Sequence, residues 1–284
     1  MLDENQLKEK LIPFAQNDFH CADPAAAAAL VTDMLEHNGS LDSELRDDLI
    51  YSALATWVTV DDCLGEDALR LILQTALDDR HMFHRIGETG ADSVFRRSFS
   101  VLLLPLILHR HRARPFLAPA EVAGIKDGVL RFLHEELDHR GFVEGPGWAH
   151  AVAHAADALE ELARCPEMGA ADLGELLAAV RAVICDPERI YAFGEEERLA
   201  TAVLSILRRQ ILPDAALAEW VHAFADTVRE VESPPQKFIL RANVKNFLQS
   251  LYFRLQWTFP DRFLSEAIDR ALFRINPYAN RSAD

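Results

Sequence analysis

Along the chain, apolar residues recur three and four positions apart, and alternating stretches of Val, Ile and Thr are nearly absent. That spacing gathers apolar side chains on one face of an α-helix, so it predicts helices. Over residues 45–60, Leu45, Leu49, Ser52/Ala53 and Thr56/Trp57 form one stripe, with Glu44, Arg46 and Asp48 mostly off it. Ser40 or Asp42, just after Gly39, is the residue type that caps such a helix by accepting a hydrogen bond from its first turn. The same pattern predicts helices over residues 5–15, 25–37, 66–82, 92–111, 120–137, 148–164, 171–184, 195–211, 214–231, 236–257 and 261–275. Pro119, Pro213 and Pro260 stand at helix starts, Pro105 predicts a kink within 92–111, and Pro234-Pro235 marks a break.

About a dozen helices with short connectors pair naturally into antiparallel hairpins. Stacked side by side, such pairs give an all-α fold of the α-solenoid kind, HEAT- or armadillo-like, with repeats of about 40–47 residues. No repeated sequence signature accompanies the helix lengths. An α/α toroid built from the same hairpins is therefore the alternative, and a compact bundle the third choice. No linker divides the chain, which predicts a single helical domain over residues 1–284.

A chain of 284 residues is long enough to bury a core without disulfides or metal. The net charge of -16 repels phosphate backbones and anionic lipid, which argues against nucleic-acid and membrane partners. Cys21, Cys63, Cys165 and Cys185 lie far apart with no CxxC pair, the pattern of thiols in a reducing compartment. The first ten residues carry no apolar signal core, and the longest apolar run, 101–108, is too short to span a bilayer. A cytoplasmic location is expected.

Chemistry concentrates in one region. The segment 138–147 holds Gly141, Gly145 and Gly147, a density that suits positive φ or close backbone approach. If the helix over 148–164 turns about 100° per residue, His150, His154, Asp157 and Glu161 fall within roughly 60° of one another. Trp148, Val152, Leu159 and Leu162 then occupy the other side, and alanines flank the polar stripe. Two histidines one turn apart can chelate a divalent metal, with Asp157 as third ligand or as a support behind them. Equally, the face is a solvated polar stripe or ties two helices together. The zinc-protease pattern HExxH is not met, because Ala151 stands where its general base belongs. Arg96-Arg97, the 109–112 run and Arg208-Arg209 read as helix-end charges rather than phosphate sites. The aromatic series Phe238, Phe247, Tyr252, Phe253, Trp257 and Phe259 reads as core packing. No phosphate loop, nucleophile elbow, dinucleotide fingerprint or kinase signature is present.

The run Gly141-Phe-Val-Glu-Gly-Pro-Gly-Trp-Ala-His150-Ala-Val-Ala-His154-Ala-Ala-Asp157 resembles the central signature of a bacterial family, domain of unknown function 2785. Residues 45–57, 97–104 and 247–255 are similar to it as well. The resemblance implies a helical-repeat protein and brings no activity. Pro146 stands where that pattern carries a basic residue, so an anion contact made there would be missing from this chain.

Two functions compete. The first is a non-enzymatic scaffold that binds a protein or peptide partner, since no complete catalytic set is present. The second is a small-molecule or metal site on Trp148, His150, His154 and Asp157, hydrolytic if a histidine acts as general base. In that reading the glycine loop 141–147 forms a lid or a wall, and Asp138, Glu144 or a residue of 92–111 faces the histidines.

Overall fold

The computed structural model describes residues 1–258 and 262–279. Phe259, Pro260 and Asp261, the end of the aromatic series and the start of the last expected helix, lie outside the described residues.

The described residues are all-α apart from one two-stranded ribbon, and the helices group into two compact units, Met1–Glu167 and Met168–Asp284. In the first unit, α1 (Glu4–Ala15) starts on a capping box: Asp3 accepts from the Gln6 amide at 2.9 Å and Gln6 accepts from the Asp3 amide at 3.1 Å. Then α2 (Pro24–Glu36) has Asp23 as its cap and a proline in the first turn.

The helix expected over 45–60 is present but wider than an α-helix. Glu44–Tyr51 and Thr56–Val60 are π-helical on either side of α3 (Ser52–Ala55), and the Asp61 amide reaches back five residues to the Thr56 carbonyl at 2.9 Å. Both expected capping residues take part. Asp42 accepts from the Leu45 amide at 3.2 Å, and Ser40 accepts from the Asp42 amide at 3.1 Å. Helical winding of this kind is rare and recurs near functional sites.

Next come α4 (Glu66–Ala76), α5 (Ser93–Val101), α6 (Leu103–Ala113), α7 (Pro119–Glu135), β1 (Phe142–Val143), β2 (Gly147–Trp148) and α8 (Ala151–Arg164). The single kinked helix expected over 92–111 is instead two, divided at Leu102. Pro105 has no amide to offer the Val101 carbonyl, so the ladder breaks there. At the centre, α8 packs against α5, α6 and α7. It meets three helices because Ala151, Ala153, Ala155, Ala156, Ala158 and Ala163 are buried and small enough to let their backbones come close.

The second unit contains α9 (Ala170–Ile184), α10 (Glu195–Arg208), α11 (Asp214–Glu230), α12 (Gln236–Thr258) and α13 (Arg262–Ile275). Here α11 packs on α13, and α12 on α10 and α13. Buried Asn243 holds the 186–191 segment, accepting from the Tyr191 amide at 3.2 Å and donating to the Arg189 carbonyl at 2.7 Å. Of the aromatics read as core, Phe247 is buried, but Phe238, Phe253 and Trp257 are exposed. The buried face of α12 runs through Leu240, Val244, Phe247, Leu251 and Leu255, which leaves those three outside it.

No described helix is long and apolar enough to cross a membrane. All four cysteines are free thiols, and burial, with the Cys21 thiol beside it, pushes Cys63 up to about 12.

Candidate functional site

The glycine-rich segment folds as a hairpin. Phe142 pairs with Trp148 and Val143 with Gly147, with Glu144, Gly145 and Pro146 in the turn. Gly145 and Gly147 have φ of +94° and +85°, a region side chains other than glycine rarely adopt. At Gly147 it is φ and not space that reserves the position for glycine: a Cβ there would lie 3.4 Å from the Ser43 Cβ and 3.6 Å from the Arg46 Nη2, ordinary packing contacts. Beyond the ribbon, the Ala149 and His150 amides donate to the Gly141 and Arg140 carbonyls at 2.8 and 3.0 Å.

This ribbon moves the start of the histidine helix. Trp148 is on a strand, and His150 is the cap of α8 in the left-handed conformation, with φ of 49°. The face expected to run from residue 150 therefore begins at His154. His150 reaches it from outside the helix, its ring 6.0 Å from that of His154 and edge-on to it. His154 Nδ1 lies 3.1 Å from the Ser98 carbonyl, which can only accept. Nδ1 therefore carries the proton, and the ring also packs edge-on to Phe99 at 5.1 Å. Asp157 is half-buried a turn further, and buried Glu161 accepts from Arg112 Nε at 2.8 Å and Arg164 Nη1 at 3.0 Å. Among the described residues, no group of three or more His, Cys, Asp and Glu side chains is placed to hold a metal ion.

Asp138, expected to face the histidines, is engaged elsewhere. Its carboxylate accepts from Arg140 Nε at 2.9 Å, Arg140 Nη2 at 2.7 Å and the Gly90 amide at 2.9 Å. Burial pushes the Asp138 carboxyl up, but these hydrogen bonds from Arg140 and Gly90 outweigh it and hold the group below the usual carboxylate range. Glu144 is exposed in the turn of the hairpin.

Two fully buried arginines organise the region: the sequence pattern marks Arg46 only as lying off the apolar stripe, and Arg97, which reads there as a helix-end charge, is instead mid-helix in α5 and buried. Arg46 lies between the rings of Phe95 and Phe99, each centroid 4.6 Å from its guanidinium carbon. It donates to Asp47 Oδ1 at 2.8 Å, to the Ser40 carbonyl at 2.7 Å and to the Pro146 carbonyl at 2.7 Å. Burial draws Arg46 below its ordinary range against the pull of Asp47, and burial lifts Asp47 above the usual carboxylate range.

Arg97 forms a two-pronged pair with Glu136, at 2.5 and 2.9 Å. Its other donors go to Ser93 Oγ at 2.8 Å and to the carbonyls of His84, Arg85 and Glu88. Glu136 also accepts from the Asp138 amide at 2.8 Å. Both stand in helices of mixed polarity, beside Asp47 and Arg96 respectively, so the sequence carries no local signal of their burial.

The charged interior is thus hydrogen-bonded to backbone, while the aromatic edge faces solvent. Phe142 is 52% exposed and Trp148 40%. Their rings meet edge to face at 5.1 Å, and Trp148 stacks on His150 at 4.3 Å.

A family model described as "Protein of unknown function (DUF2785)" matches residues 82–253, more than half of the chain. No curated protein and no solved structure matches it.

Proposed function

The chain belongs to this family, DUF2785, and we propose that it is a non-enzymatic cytoplasmic binding scaffold of stacked helix pairs, continued in α-solenoid fashion. Its partner is a protein carrying a basic segment, held on the Phe142–Trp148 edge.

The observation that carries the reading is the half-exposed pair Phe142 and Trp148 on a ribbon fixed from behind. Arg46 ties the Pro146 carbonyl and His150 supports the indole, so little ordering is left to be done on binding. Exposed, rigid aromatics are the side chains that dominate binding energy at interfaces. The sign of the partner follows from charge. The net charge of -16 and Glu144 in the turn favour Lys and Arg, which also interact well with an indole face. Asp138 is not free to act as a base, since its carboxylate is bonded to Arg140 and the Gly90 amide.

The test is fluorescence anisotropy with labelled Lys/Arg-bearing and Glu-bearing peptides of matched apolar content. Saturable binding of the basic set is expected, at least tenfold weaker in Trp148→Ala and retained in Trp148→Phe, the size of a typical interface anchor. Equal binding of both sets, or no change in Trp148→Ala, would sink the reading.

A further inference from the structure

In the second unit α12 presents Arg241, Lys245 and Gln249 four residues apart, on one face of the helix. They form the polar wall of a cavity of about 300 Å³, at the small end of the range for ligand sites. Leu272 and Ile275 of α13, with Pro277 and Tyr278 beyond its end, make the opposite, largely apolar wall.

Elsewhere in this protein arginines meet carboxylates, as Arg97, Arg110, Arg112, Arg140 and Arg274 do. Arg241 and Lys245 do not: neither forms an ion pair among the described residues. Arg241 is half-buried and held by packing, its guanidinium carbon 5.0 Å above the Phe238 ring. In a chain with 45 acidic residues against 29 basic ones, two cations one turn apart with no carboxylate partner among the described residues, at a cavity wall, are a local reversal of sign.

We infer that this cavity binds a small organic oxyanion, a phosphate monoester or a carboxylate, with a compact apolar body. The planar guanidinium of Arg241 accommodates two oxygens at once, and the Lys245 ammonium adds a movable point charge. Gln249 supplies amide donors one turn on. Leu272, Ile275 and the Tyr278 ring cover the apolar body. Two positive charges match a phosphate monoester dianion in full and a carboxylate in half, so the phosphate is held more tightly.

The experiment is calorimetric titration of the full chain with phenyl phosphate, benzoate and the neutral benzyl alcohol. Saturable binding of phenyl phosphate is expected, tighter than benzoate and weakening as salt rises, with benzyl alcohol giving none. The Arg241→Met/Lys245→Met variant should lose at least tenfold in affinity with an unchanged helical circular-dichroism spectrum. Because Lys245 is exposed, Lys245→Gln keeps the fold and should show a smaller loss in the same direction. Benzoate binding as tightly as phenyl phosphate still assigns the cavity to oxyanions and removes the preference for phosphate. The inference is overturned if phenyl phosphate gives no saturable heat, if benzyl alcohol binds equally, or if both variants bind like the parent.

Discussion

At Asp138 two effects oppose each other on one carboxyl. Burial disfavours the charge, and the Arg140 guanidinium with the amides of Arg140 and Gly90 favours it and prevails. A carboxyl whose folded pKa lies below its ordinary 3.8 contributes stability that is present above that value and lost as pH falls through the folded one. Asp138→Asn should therefore cost stability at neutral pH, and the gap from the parent should narrow as pH drops below about 4. Urea unfolding of both proteins at a series of pH values measures this; a gap that stays constant refutes it.

The sequence placed Asp138 beside the chemistry but not its partners, because a carboxylate two residues before an arginine reads equally as solvated surface. Arg46 and Arg97 were still harder to read. Nothing in their local spacing distinguishes an arginine that crosses the core to backbone carbonyls from one that reaches solvent.

For the elements, the helix period was legible almost everywhere, and boundaries agree closely for α9 and α11. Besides the early end of α4 at Ala76 and the division at Leu102, two features escaped it. The ribbon has two residues per strand, too few to show alternation, so the helix expected from 148 begins at Ala151 and His150 becomes a left-handed cap. The wide winding of Glu44–Tyr51 has no residue signature of its own.

Gly39 shows how closely elements approach at this end of the unit. A Cβ there would stand 2.6 Å from the Arg96 Cα on α5, a backbone atom that cannot swing aside. Gly39→Ala should therefore destabilise by about 1–3 kcal/mol, the usual cost of overpacking. Gly65→Ala, with open space around its Cβ, is the matched control. Urea midpoints of the two variants check this, and equal midpoints would show that α5 yields freely.

Across the whole molecule, charge is the property that sequence states without structure. A surplus of sixteen negative charges is self-repulsive, and mobile ions screen it over about 10 Å at 0.1 M salt. Moderate sodium chloride should raise the thermal midpoint while weakening the basic-peptide complex, opposite trends from one cause. Thermal melts and anisotropy over the same salt series test the pair; parallel trends would place the peptide contacts outside the electrostatic account. Which residues meet across the chain was not legible, since contacts between distant helices depend on packing that no local pattern records.

One of those distant contacts sets an order in time. Arg46 donates to the carbonyl of Pro146, which lies 100 positions later in the chain. A ribosome adding roughly 5–20 residues each second makes that carbonyl about 5–20 seconds after the arginine. During that interval the guanidinium can already lean on Ser40, but the ribbon that completes its cage has not been translated. The amino-terminal helices are therefore made early and finished late, and a nascent chain stalled before the ribbon would hold an arginine still open to water.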